Sequence, residues 1–335
     1  MTAVDEKFLV FAAMRNEGAF IVEWVTWYRM LGFQVMVATN DCTDHSVALL
    51  ERLADAGWLT HFSHSPGNMS PKGSAHRDMR KRPEVAATDW LMICDVDEFL
   101  VIHRGDGSIG SLFDVIGRDF LGVVFHWQCF GTGGHTTYAD GLVHRQFLRR
   151  GTARHAVNTS FKSLFKSPLR YKRYSDHSPF DFDGVLGEGA NNFVNAEGQI
   201  IQRFLTHEHP IRFADLDDIT TVNAQLNHYI IRSDESFDLK RGMISASAKV
   251  DRYTDRFYKA RNRNGIQDSA ALAYTARFAP LHKAAMALPG VHRLHHLCCA
   301  DYVVRLCAKK GADHRIDPRY KFHLAAAQTG AADHD

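Results

Sequence analysis

Long apolar runs, C-x-x-C pairs and a charge excess are all missing from this sequence. No stretch of its 335 residues approaches the ~18 consecutive apolar residues of a membrane-spanning helix. The opening Met-Thr-Ala-Val-Asp-Glu-Lys holds no basic segment leading into an apolar one, so no secretory signal is expected. Six cysteines are scattered without a C-x-x-C pair, which points to reduced thiols and a cytoplasmic setting. Forty Lys and Arg face 38 Asp and Glu, and a formal charge of +2 offers no global field for a nucleic-acid partner.

What remains is a globular mix, 45% apolar and 11% aromatic, with twenty histidines as its oddity. The length suits about two domain-equivalents, or one large α/β unit with additions. Residues 7–14 form an apolar run that reads as a buried strand. Phe20, Trp24 and Tyr28 then recur every four residues along one face of a helix over 19–31, which Gly32 stops. Strands over 33–39, 58–62 and 89–94 continue the series, with helices over 44–56, capped by Thr43 or Asp44, and 73–87. This alternation predicts βαβ units: a mostly parallel central sheet with helices on both faces, whose ligands collect beyond the carboxyl ends of the strands. Asn16-Glu17, Asn40-Asp41 and Asp95-Val96-Asp97 all fall at those ends. After Gly122 the pattern loosens. Strands are expected over 123–128, 162–166 (at a sheet edge) and 199–205, helices over 215–232 and 237–244, and a helical tail over 280–312.

The sharpest chemistry lies in Asp95-Val96-Asp97-Glu98-Phe99, which ends a nearly all-apolar strand. On an extended strand end Asp95 and Asp97 share one side, about 6–7 Å apart, and two such carboxylates suit one hard divalent cation completed by water and phosphate oxygens. Asn227-His228-Tyr229 leads to Lys240 and Arg241, which can hold a diphosphate through charge-assisted hydrogen bonds. His228 there is a third metal ligand or a phosphate donor. Lys162 to Lys166 alternates charge with apolar side chains, as a basic strand face would. His207 and His209 have H-x-H spacing but no carboxylate partner at a telling distance. His292, His295, His296, Cys298 and Cys299 sit on an apolar helical pattern, where packing is expected rather than zinc.

Together these segments resemble bacterial family 2 glycosyltransferases, in the subgroup that is itself similar to family 92. The likeness runs from about residue 8 to residue 268 through Met14-Arg15-Asn16-Glu17, Glu23 to Tyr28, Asn40 to His45 (His45 standing where the pattern has glycine), Asp95 to Phe99, Trp127 to Gly134, Lys162 to Lys166, and Asn227 to Lys240. The resemblance implies a GT-A, Rossmann-like fold. Residues 1–130 would form its nucleotide-sugar-binding half, 131–275 the half that closes on acceptor and diphosphate, and 276–335 a helical C-terminal extension. It also implies transfer of a sugar from a nucleotide-sugar donor to the hydroxyl of a saccharide or glycolipid acceptor, with Mn²⁺ or Mg²⁺ as cofactor. Asn16, Glu17, Asn40, Asp41 and Asp44 would then face the nucleoside. Asp95 would meet the ribose or, through water, the metal; Asp97 and His228 would bind the metal more directly. Lys162, Lys240 and Arg241 would face the diphosphate.

An inverting transfer also needs a carboxylate to take the acceptor's proton. Glu98, Asp140 and Glu188 are the candidates, and Asp140 is favoured because it follows the glycine turn at Gly131-Thr132-Gly133-Gly134, where acceptor groups are expected. Two other functions fit the same residues: a phosphohydrolase using the Asp95/Asp97 loop, and a non-catalytic nucleotide- or carbohydrate-binding module. The hydrolase loop normally opens its domain, whereas three βα units precede it here. The tail is expected to pack on the sheet, to mediate an oligomer, or to touch the inner face of a membrane through Lys309, Lys310 and Arg315.

Overall fold

The computed structural model describes residues 6–206, 210–243 and 250–329. Its strands are β1 (Phe8–Met14), β2 (Phe33–Thr39), β3 (Thr60–Ser63), β4 (Trp90–Ile93), β5 (Glu98–Ile102), β6 (Gly122–Cys129), β7 (Arg149–Arg150), β8 (Phe161–Lys166), β9 (Tyr171–Tyr174), β10 (Pro179–Phe182), β11 (Phe193–Asn195), β12 (Ala224–His228) and β13 (Ile266–Gln267). Among the described residues, nine of these share one sheet in the order β3-β2-β1-β4-β8-β6-β12-β5, with β11 beside the first half of β6. Only β8 and β5 run against the others, so the sheet is mostly parallel.

Helices α1 (Gly18–Leu31), α2 (Ser46–Asp55), α3 (Pro71–Met79), α4 (Pro83–Ala86), α5 (Ile109–Ile116), α6 (Val143–Gln146), α7 (Arg203–Thr206), α8 (Asp234–Lys240) and α9 (Asp255–Arg261) precede a C-terminal set, α10 (Thr275–Met286), α11 (Val291–Lys310) and α12 (Pro318–Thr329). The alternation along β1 divides the core in two. Phe8, Val10 and Ala12 pack with α1, α2 and the C-terminal helices, while Leu9 and Phe11 pack with Ala75 and Met79 of α3 on the opposite face. Each fully buried Val, Leu or Phe in these faces contributes about 1.5–3 kcal/mol. The result is the expected α/β architecture of the GT-A, Rossmann-like kind with a helical C-terminal region. No helix among the described residues is long and apolar enough to cross a membrane.

Several elements depart from the sequence expectations, each for a local reason. α1 is buried on nearly all sides rather than on one face, because α10 and α11 cover the side turned from the sheet. The helix over 73–87 is split at Pro83, which starts α4 because it cannot extend the helix before it. β8 lies between β4 and β6, not at an edge. Residues 199–205 form no strand; their end coils into α7. The span 215–232 is not a helix either. Ala224 and Leu226 alternate with Gln225 and Asn227, a period of two, and the segment becomes β12. Pro280 lies inside α10 rather than ahead of the tail helix. α8 ends at Lys240, and residue 244 lies outside the described residues, as do His207 and His209.

Candidate functional site

The carboxyl ends of β1, β2 and β4 open on a cavity of about 320 Å³, closed from the far side by α8 and α11. Asp95 to Glu98 is a tight turn rather than the extended strand end expected. The Glu98 amide donates to the Asp95 carbonyl at 3.0 Å, and the Glu98 carboxylate accepts the Asp95 amide at 2.7 Å. The turn still presents both aspartates to the cavity.

Each aspartate is held by two cations. Asp95 accepts from Lys72 at 2.6 Å and from Lys162 at 3.1 Å. Asp97 accepts from Lys240 at 3.1 Å and lies 3.5 Å from His228 Nε2. Burial alone would push both carboxyls up, but Lys162 and Lys72 hold Asp95, and Lys240 and His228 hold Asp97, well below the usual carboxylate range. In return His228 is raised to about 9 against its own burial, chiefly by the hydrogen bond to Asp97. The imidazole, at the end of β12, lies tilted against the Trp127 ring, with centroids 4.1 Å apart.

Backbone conformation marks the same place. Of five non-glycine residues with positive φ among the described residues, Asn16, Asp41 and Arg232 follow β1, β2 and β12 at this edge. Asn and Asp tolerate the left-handed region, but an arginine held there is costly and persists only where its surroundings fix it. Arg232 is 4% exposed, with its guanidinium 3.5 Å above the Phe20 ring and 3.6 Å from Glu17. Burial pushes the Glu17 carboxyl up, with Arg232 and Lys240 opposing.

The structure therefore brings Asn16, Glu17, Asn40, Asp95, Asp97, His228 and Lys240 to one cavity wall. The other expected residues lie elsewhere. Asp41 is exposed and accepts a hydrogen bond from Asn40. Asp44 accepts the Ser46 amide at the start of α2. Lys162 is fully buried beneath the turn, bridging Asp95 and Glu98. Arg241 points away, paired with Asp238 and Asp255. Glu98 is wholly buried and holds the turn, so it cannot meet an acceptor. Asp140 and Glu188 do not line the cavity.

Sequence reading missed Lys72, Asp176, Tyr302 and Arg305 on the wall. Asp176 lies 3.4 Å from Lys72 and 3.6 Å from His76, and its neighbours, Lys72 first, outweigh burial to bring it down to about 2. Arg305 of α11 donates to the Asn16 carbonyl at 2.8 Å. None stands in a segment that the sequence marked as a motif.

No protein-family model matches the chain, and no curated protein matches it. Among solved structures it is similar to S. aureus TarS residues 1–349 in complex with UDP-GlcNAc, at 11% identity over 97% of this chain and 92% of that one, with a TM-score of 0.35. It is similar also to the galactosyltransferase LgtC in complex with donor and acceptor sugar analogues, at 12% identity over 81% of this chain and 99% of that one, TM-score 0.32. A cytidylyltransferase from Leptospira borgpetersenii matches at 11% identity over 50% of this chain and 62% of that one, TM-score 0.25. Likenesses at these values leave the functional reading to the residues themselves.

Proposed function

We propose that this protein transfers a sugar from a nucleoside-diphosphate sugar to a hydroxyl acceptor. The observation that supports it is the charge arrangement of one strand-end cavity. Six cationic side chains and four carboxylates line it, leaving a cationic surplus suited to a diphosphate beside amides and a carboxylate suited to a nucleoside. Asn16, Glu17 and Asn40 face the nucleoside. Lys240 exchanges Asp97 for a phosphate oxygen, with Arg232 and Arg305 beside it, and these fixed charges stabilise the departing diphosphate.

The residues present also fit Mn²⁺ or Mg²⁺. Asp97 Oδ1 and His228 Nε2 face each other 3.5 Å apart, near the roughly 3 Å between adjacent ligands on bonds of about 2.1 Å. Asp97 and His228 would hold the ion, with Asp95 reaching it through water. When bound, the ion adds positive charge to the leaving group. His228 would hold the ion through a neutral ring nitrogen, so uptake would be coupled to release of a proton. Asp176, outside the strand-end segments yet on the same wall, takes the part first expected of Asp140 and receives the acceptor's proton once Lys72 turns to phosphate.

A thermal-shift screen of UDP-, GDP-, CMP- and dTDP-sugars, with and without Mn²⁺, tests the reading. A stabilisation that needs both donor and metal, followed by sugar transfer, is expected. Absence of any donor-dependent shift, or turnover of a simple phosphoester instead, would overturn it.

A further inference from the structure

A second cluster of metal-ligand side chains lies outside the cavity, in the seam between α11 and α12. Ligand atoms of Asp140, Cys299 and His323 lie within 4.8 Å of one another. The three come from different places in the chain: the loop after the glycine turn, the middle of α11, and α12. Cys299 and His323 are buried, while Asp140 is exposed and opens the cluster to solvent. Two further imidazoles stand at its rim. His295 Nε2 lies 3.6 Å from Cys299 Sγ, and His296 Nδ1 lies 3.0 Å from His323 Nδ1. The other nitrogen of His295, Nδ1, is buried without a hydrogen-bond partner.

We propose that Asp140, Cys299 and His323 form a binding site for a zinc-class divalent ion that ties α11, α12 and the 138–140 loop together. A thiolate, an imidazole and a carboxylate are the donor set of tetrahedral zinc, whose ligands stand roughly 3.3–3.6 Å apart on bonds of about 2.0–2.3 Å. The cluster needs only a modest contraction to reach that spacing. On binding, the Cys299 S–H bond breaks, its proton leaves to solvent, and the sulfur lone pair forms the bond to the ion. Tyr138, hydrogen-bonded to Cys299, then supports the ligand from behind. Solvent-exposed Asp140 provides the entry path.

This inference is independent of the sugar-transfer reading, because none of its residues lines the cavity. The test uses the full chain after dialysis against chelator, with Zn²⁺ titrated against a competing dye and Co²⁺ as the spectroscopic probe. One equivalent of Zn²⁺ is expected to bind with Kd below about 1 μM and to raise the Tm. Co²⁺ is expected to give a thiolate-to-metal charge-transfer band that is absent in Cys299→Ser. The exposed Asp140→Asn, which should fold normally, is expected to weaken Zn²⁺ at least about tenfold. Asp97→Asn should keep the cobalt–thiolate band, which separates this site from the Asp97/His228 pair. A band that survives Cys299→Ser, unchanged affinity in Asp140→Asn, or cobalt bound without any thiolate band would each overturn the proposal.

Discussion

The Asp95–Asp97 turn and the α11–α12 seam each bury several titratable side chains, and burial disfavours the charged form in both, yet the outcomes are opposite. At the turn the charged forms of the two aspartates and the lysine win: Asp95 and Asp97 are held low, and Lys162 is held above its ordinary value by Asp95 and Glu98 despite being fully buried, while burial pushes Glu98 up. In the seam the neutral forms win, with His296 lowered to about 4 and the Cys299 thiol raised. Depth is similar in the two places; the supply of partners differs. Every carboxylate of the turn has a cation within reach, whereas the seam offers Cys299, His295, His296 and His323 and one exposed carboxylate, Asp140. The first arrangement is prepared for an anionic ligand and a hard ion, the second for a softer one.

The largest expected effect tests whether the turn depends on its pairing. Lys162→Met leaves Glu98 without its cation in a buried site and Asp95 with Lys72 alone, and should cost about 3–5 kcal/mol in urea unfolding. A loss below about 1 kcal/mol would mean that the pairing stabilises nothing and the contrast is empty. Next, Asp97→Asn keeps the shape of the turn but removes its charge, and should lower initial transfer rates by about 10²–10³-fold. An unaltered rate would remove the turn from the chemistry.

A third prediction extends the neutral-imidazole rule to a core without any ion pair. His126 on β6 is 1% exposed, and neither ring nitrogen has a hydrogen-bond partner. Burial lowers it to about 4. Between pH 6.5 and about 4 the unfolded chain takes up a proton that the folded chain refuses. Its contribution is therefore fully present above pH 6.5 and is lost as the pH falls, by on the order of 3 kcal/mol at the acid end. His126→Leu should flatten that part of the stability–pH curve; an unchanged slope would refute it. Least of all, Arg241→Ala should change stability by less than about 0.5 kcal/mol and leave donor-induced thermal shifts as they are, since its partners Asp238 and Asp255 are solvent-exposed.

The sequence was most readable where local pattern and tertiary position coincide. Apolar runs cut off by Asn16-Glu17, Asn40-Asp41 and Asp95 placed β1, β2 and β4, and with them three corners of the cavity. His228, Lys240 and Trp127 stood in recognisable segments as well. Reading failed where the deciding contact is distant. Lys162 looks like a surface lysine until β8 is seen to insert beside β4. Arg305 meets Asn16 across 289 residues. Asp140 carried a plausible turn and a plausible role, but its partners Cys299 and His323 lie on helices some 160 and 180 residues further on. The turn at Asp95 read as a strand because Glu98–Ile102 is itself extended and apolar. His292 and His296, one helical turn apart with ring centroids at 4.6 Å, read only as part of a packed helix, and nothing local disclosed what crosses above them.

The strand order has a consequence for how the molecule is made. Among the described residues β5 ends the sheet with β12 as its only strand partner, Glu98 opposite His228. A ribosome adding about 5–20 residues per second leaves β5 waiting roughly 6–25 seconds for that partner, with both backbone edges unpaired and Asp97 still lacking both Lys240 and His228. Ligand binding at the turn is therefore a late event of biosynthesis, and the nascent chain is most vulnerable to edge-to-edge association just before β12 arrives.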